Sequence, residues 1–274
     1  MKRPFLLILL SISVIIGVYS ISYAQGQYLN VNDIKMYYEI HGTGEPLLLL
    51  HGGTGYIEKF SHQIPAFEKD FKVIAPDSRG HGRTTDSEQP ITYELMASDI
   101  VKLLDHLNIH NINIVGWSDG GIIGLKLAIS QPQRVKKLVA IAANFKTDGL
   151  EKYMIEYLKN TTPETLPPEL IEGYKKLNPN PDHWPIFFNK IKTMWLTSPN
   201  FSKDMLATIK APTLILTGDR DGFIRLNHTI ELYESIPNSQ LCVIPGATHG
   251  VPSEKPELLN KIIKEFLQTT VPKQ

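Results

Sequence analysis

Residues 114–121, Ile-Val-Gly-Trp-Ser-Asp-Gly-Gly, restrict this chain more than any other stretch. An apolar run enters Gly116-Trp117-Ser118-Asp119-Gly120, and a helix-period segment follows it. A serine with glycines two residues away on each side, between a strand and a helix, belongs on a sharp strand-to-helix turn. That turn is strained, and side chains at the two glycine positions would collide, so residues without a Cβ are needed there. The helix that begins at the turn points free amides and its positive dipole end at the serine. A chain with this segment is therefore committed to a buried strand feeding a helix that packs back on a sheet.

The rest of the chain supplies such a sheet. Strand-length apolar segments lie at 46–51, 71–75, 113–115, 135–142, 212–217 and 240–244, with helix-period stretches between them. Short continuous apolar strands are what a sheet covered on both faces requires. The alternation predicts an α/β fold with a mostly parallel sheet flanked by helices. Residues 33–41 alternate in polarity and predict an antiparallel strand ahead of it. Leu95, Met96, Ile100, Leu103, Leu104 and Leu107 form a helical stripe behind a Thr92 cap, predicting a helix over 92–107. Further helices are predicted over 118–130 and 254–267. Residues 144–206 break the rhythm: too long for a bare loop, they carry helix-spaced apolar residues and predict a helical cap over the sheet. The core is then 25–143 together with 207–274.

Composition narrows the partners. At 42% hydrophobic and 20% charged the chain is an ordinary globular one. Lys+Arg and Asp+Glu balance at 28 each, with no basic stripe, so no nucleic-acid partner is expected. A single cysteine, Cys242, allows neither an intrachain disulfide nor a cysteine zinc site. Gly42-Thr43-Gly44 reads as a turn rather than a phosphate cradle, and no metal or cofactor is expected. Lys2 and Arg3 precede an apolar run over 5–21, and Ser22-Tyr23-Ala24 offers a small-x-small cleavage site. This layout predicts a signal peptide at 1–24 and a secreted or periplasmic protein. An uncleaved N-terminal membrane anchor is the alternative.

His51-Gly52-Gly53, Asp77-Ser78-Arg79-Gly80-His81-Gly82, Gly116-Trp117-Ser118-Asp119-Gly120-Gly121, Gly218-Asp219-Arg220-Asp221 and His249 follow one another in this order. That succession resembles the α/β-hydrolase fold family of serine-nucleophile esterase type, over essentially everything after residue 27. The Gly-Trp-Ser-Asp-Gly-Gly turn also resembles the valacyclovirase-like, biphenyl hydrolase-like branch. The resemblance implies Ser118 as nucleophile, followed along the chain by an acid and then a histidine.

A serine hydroxyl needs a base of near-neutral pKa, hence a histidine. Three histidines follow Ser118. His183 lies in the cap segment, His228 in a predicted helix starting near Arg225, and His249 in the loop after the 240–244 strand. The end of a strand is where sites of open α/β sheets collect, so His249 is expected as the base. Asp219 and Asp221 both follow the preceding strand; the family pattern implies Asp221, with Asp219 making a turn. The backbone amide of Asp119 and, by resemblance, that of Gly53 are the expected oxyanion donors. His51 and His81 are read as braces for loops near the site. The Asp119 side chain is read as stabilising a helix N-terminus; the sharper reading is that it attracts a substrate ammonium.

Aromatic residues crowd the cap segment. Most are expected to form its own core, with Trp184, Phe187, Phe188 and Trp195 as candidates for a substrate pocket. The expected activity is hydrolysis of small carboxylic esters or lactones through an acyl-enzyme. A carbon–carbon bond hydrolase, a cofactor-free haloperoxidase or an aminopeptidase would use the same three residues. Epoxide hydrolases and haloalkane dehalogenases would want an aspartate at position 118. A non-catalytic ligand-binding protein on this fold is the alternative of another class.

Overall fold

In the computed structural model, which describes residues 26–269, eight strands form a sheet in the order β1-β2-β4-β3-β5-β6-β7-β8. They are β1 Gln27–Val31, β2 Ile34–His41, β3 Glu45–Leu50, β4 Phe71–Pro76, β5 Ile112–Trp117, β6 Val135–Ile141, β7 Thr213–Gly218 and β8 Ser239–Ile244. β1 pairs antiparallel with β2, and β2 antiparallel with β4. From β4 through β8 every pairing is parallel. The proposed leader at 1–24 lies outside the described residues. β1 carried no clear pattern in the sequence because it is an edge strand, largely exposed along its length.

The helices are α1 Ile64–Phe67, α2 Tyr93–His106, α3 Asp119–Ser130, α4 Lys152–Asn160, α5 Pro168–Leu177, α6 Trp184–Thr197, α7 Lys203–Ala207, α8 Leu226–Ser235, α9 Val251–Glu254 and α10 Pro256–Gln268. Side chains alternate across a strand, and β3 shows what the continuous apolar run is for. Leu48 and Leu50 join the core under α2 and α3, while Leu47 and Leu49 join the opposite core under α1, α9 and α10. Thr92 caps α2 by accepting a hydrogen bond from the Leu95 amide at 3.1 Å, satisfying one of the amides a helix start leaves free.

The segment between β6 and β7 carries α4, α5, α6 and α7. Most of α6 is driven into the first core: Trp184, Phe187, Phe188 and Ile191 are all buried there. Leu150, Met154 and Leu158, spaced by four residues, gather with Ile224 in a third and separate apolar cluster.

A buried ion pair fixes the loop after β4. Arg79 is fully buried and donates through Nε and Nη2 to the two Asp99 carboxylate oxygens, both at 2.8 Å. Its Nη1 donates to Asp33 at 2.7 Å. This bidentate arrangement satisfies the guanidinium where water cannot.

Candidate active site

Every expected site residue except those of the cap sits at or just beyond the C-terminal end of a strand: Gly53 after β3, Ser118 after β5, Asp221 after β7 and His249 after β8. Parallel pairing brings those ends together along one edge.

The turn at Ser118 has the strained form that the sequence demands. Ser118 holds φ +54° and ψ −119°, a left-handed conformation that costs a non-glycine residue about 1–3 kcal/mol. The close approach that allows it is measurable. A Cβ on Gly116 would stand 2.2 Å from the Gly120 carbonyl oxygen, and one on Gly120 would stand 1.9 Å from that of Leu50. Any side chain at either position would push α3 away from the sheet.

Ser118 Oγ lies 3.0 Å from His249 Nε2, and His249 Nδ1 lies 3.0 and 3.1 Å from the two Asp221 carboxylate oxygens. With Nδ1 donating to the carboxylate, Nε2 is left as acceptor for the serine hydroxyl. Asp221 Oδ1 also accepts from the amides of Phe223 and Ile224, at 2.8 and 3.0 Å. Burial works to raise the Asp221 carboxyl, but the His249 hydrogen bond and charge and the two amides outweigh it and hold it below the usual range. Asp219 is used differently: its Oδ1 accepts from the Gly246 amide at 2.6 Å, tying the loop after β7 to the loop that carries His249.

Two residues that sequence reasoning passed over hold the imidazole. Trp117 Nε1 donates to the His249 backbone carbonyl at 2.9 Å. Phe223 stacks on the His249 ring, with centroids 4.5 Å apart and planes at 22°. Position 117 sits inside the serine turn and position 223 follows the acid by two, but neither signals a contact with a histidine so far along the chain.

His51 and His81 are neutral braces. His51 Nδ1 donates to the Gly52 carbonyl and its Nε2 accepts from the Ser78 amide, at 2.8 and 3.0 Å. His81 Nδ1 donates to the Arg79 carbonyl at 2.8 Å. Burial drives their pKa values down to about 4 and about 3. His228 is likewise buried, in α8, and its Nε2 accepts from the Phe145 amide at 3.1 Å.

A cavity of about 380 Å³ opens over Ser118. Gly53 and Asp119 border it beside the serine. As the first residue of α3, Asp119 presents one of the helix's unpaired amides. The Asp119 side chain does more than stabilise a helix start: Oδ1 accepts from the Tyr93 hydroxyl and Oδ2 from Trp195 Nε1, both at 2.8 Å. Burial raises its pKa against the opposing pull of these two donors and of His249.

Of the four aromatic residues expected to line the pocket, Trp195 does so. Trp184, Phe187 and Phe188 do not, and that expectation is corrected. They are 3%, 0% and 0% exposed and pack against Tyr174 of α5, His81 of the loop after β4 and one another. Phe187 packs on His81, Phe188 stacks on Trp184, and the Trp184 indole donates to the Pro163 carbonyl. Large aromatic surface is placed where it removes most area from water. The cavity wall is apolar, with Leu150, Met154, Leu158, Leu166, Leu170 and Ile224 alongside the rings of Tyr93, Trp117, Tyr157 and Phe223.

The model of the α/β-hydrolase fold family matches residues 45–168, a stretch that includes the serine turn. The chain has the α/β-hydrolase fold. This hydrolase is 28% identical to the putative carbamate hydrolase RutD of Azorhizobium caulinodans, over 87% of the chain and 97% of that relative. It is 28% identical to the human serine hydrolase BPHL, over 87% of the chain and 84% of that protein. Among solved structures, a meta-cleavage product hydrolase of Pseudomonas fluorescens superposes with a TM-score of 0.77 at 22% identity, covering 88% of this chain and 97% of that one. At that identity the likeness speaks for the fold. Among the described residues of this α/β-hydrolase, no group of three or more His, Cys, Asp or Glu side chains is arranged to hold a metal. No described helix is long and apolar enough to cross a membrane.

Proposed function

We propose that this α/β-hydrolase cleaves small carboxylic esters or lactones through an acyl-enzyme on Ser118, with His249 as base and Asp221 as its orienting acid. The observation that carries the reading is the unbroken line of hydrogen bonds from Ser118 Oγ through the imidazole to the Asp221 carboxylate. The fold is shared with many activities, so the weight rests on the site.

As Ser118 Oγ attacks the carbonyl carbon, its proton passes to His249 Nε2 and the carbonyl electrons move onto oxygen. The amides of Gly53 and Asp119 donate to that oxyanion in a site sheltered from water. Asp221 stays ionised, keeps Nδ1–H as donor and stabilises the imidazolium. The carbonyl re-forms, the bond to the leaving oxygen breaks, and the imidazolium gives its proton to that oxygen. Water then attacks the acyl ester, giving its proton to His249 Nε2. Collapse of this second tetrahedral species expels Ser118 Oγ, which recovers the proton as the carboxylic acid leaves. In a lactone the leaving alcohol remains on the same product molecule.

A fluorophosphonate probe tests the nucleophile, and a panel of esters, lactones, amides and carbamates tests the chemistry, with Ser118→Ala as the blank. Labelling and ester or lactone turnover in the wild type, both absent in Ser118→Ala, are expected. A chain that never labels and turns over nothing is the binding protein of the alternative reading. The N-terminal pattern of Lys2, Arg3, the 5–21 apolar run and Ala24 supports export with cleavage after Ala24. Sequencing the N-terminus of the exported protein would then begin at Gln25; a retained leader points to the anchor instead.

A further inference from the structure

We infer that the cavity over Ser118 accepts an uncharged ester or lactone bearing an apolar chain and turns away substrates that place an ammonium or a carboxylate in it. The inference rests on the proposed serine chemistry and adds the substrate class. Its first support is the wall. Met154, Leu158, Leu166, Leu170 and Ile224 face the cavity, and no lysine or arginine is among the described residues that line it. Leu150, Met154, Leu158 and Ile224 belong to neither of the two cores that hold the sheet and its helices together. A carboxylate carried into such a wall loses its water and meets no counter-charge.

The second support is the state of Asp119, the one carboxylate in the lining apart from the reacting groups. It is 4% exposed, and each of its oxygens already accepts from a neutral donor, Tyr93 on one side and Trp195 on the other. Oδ2 is also covered. A Cβ added to Gly53 would stand 2.4 Å from the Trp195 ring and 2.7 Å from Asp119 Oδ2, so loop, indole and carboxylate are in close contact. An ammonium could pair with Asp119 only by displacing one of these donors. Asp119 is therefore a positioning residue that fastens Trp195 of α6 over the serine turn, rather than a receptor for substrate charge. The remaining polar side chains of the lining, Thr54, Asn144, Tyr157, Ser198 and Thr248, are uncharged and suit ester or lactone oxygens.

Three p-nitrophenyl esters of equal chain length separate the possibilities: the hexanoate, the monoadipate with a terminal carboxylate, and the 6-aminohexanoate with a terminal ammonium. With the whole protein, kcat/KM for the hexanoate should exceed that for either charged ester by on the order of 100-fold. It should exceed that for the acetate by about ten-fold or more. A charged ester within about three-fold of the hexanoate overturns the inference. Met154→Lys places a cation of similar length in the wall and should raise the adipate-to-hexanoate ratio by about ten-fold or more; an unchanged ratio in the folded variant counts against it. If that variant does not fold, the wild-type panel decides. Fluorophosphonate labelling of Ser118 alongside charge-indifferent turnover overturns the substrate class alone. Absence of labelling, with turnover missing or surviving Ser118→Ala, overturns the serine chemistry beneath it.

Discussion

The indole N–H of Trp117 donates to the backbone carbonyl of His249 across 2.9 Å, so the residue before the candidate nucleophile grips the loop that carries its base. The serine turn thereby positions two groups of the proposed relay. Trp117→Phe keeps an aromatic ring beside the imidazole and removes only the donor. Misplacement of a reacting group by about 1 Å can cost on the order of 100-fold. We expect kcat to fall by about ten- to hundred-fold with KM nearly unchanged. An unaltered kcat in steady-state kinetics would show that the His249 loop holds its place unaided.

Asp221→Asn tests the far end of the relay. The neutral amide cannot stabilise the imidazolium as the carboxylate does, and its NH2 can donate to Nδ1 and favour the wrong tautomer. kcat should drop by on the order of 10⁴, with circular dichroism unchanged. Retention of most activity would move the role elsewhere, with Asp219 the neighbouring candidate.

Trp195→Phe removes the donor to Asp119 Oδ2 at the junction of α6 and the serine turn. A buried carboxylate oxygen left without its partner costs about 1–3 kcal/mol. For a chain of this size that lowers Tm by roughly 2–4 °C per kcal/mol. The shift should be smaller in a variant that also carries Asp119→Asn, because the unpaired charge is then gone. Equal shifts in the single and double variants would show that the contact carries no coupling.

Acid stability should follow the buried histidines. His51, His81 and His228 have folded-state pKa values lowered by burial to about 4, 3 and 4. In the unfolded chain they titrate near 6.5. Between those values the unfolded state binds more protons, so stability is full above about pH 6.5 and is lost as pH falls toward 4. At pH 5 the loss is on the order of 2 kcal/mol for each histidine. Denaturant midpoints measured from pH 7.5 to pH 5 should decline, with unfolding taking up about two to three protons near pH 5. A flat profile across that window would mean that these imidazoles are not held neutral.

Much of this molecule can be read one residue at a time. Gly116 and Gly120 announce the serine turn because only a missing Cβ lets α3 approach the sheet so closely. The run Leu47–Leu50 announces a strand covered on both faces because each leucine points to the opposite side from the last. Thr92 announces the start of α2 because its hydroxyl satisfies a helix amide three residues on. These are contacts within a turn, a strand or a helix end, and local spacing is enough to specify them. β1, an edge strand with little to bury, left no such trace.

The sequence alone determined the succession of strands β2 to β8, the helices α2, α3 and α10 and the strained turn at Ser118, since each is governed by short-range sterics and periodicity. The family pattern pointed to the strand ends that carry the acid and the histidine. Only the tertiary structure decided which side chains face the cavity. That depends on how α4, α5 and α6 are rotated and packed, which their own sequences do not specify. Trp184, Phe187 and Phe188 turn into the buried core against Tyr174 and His81 while Trp195, on the same helix, reaches Asp119. The difference arises because burial is settled by what the rest of the chain leaves uncovered.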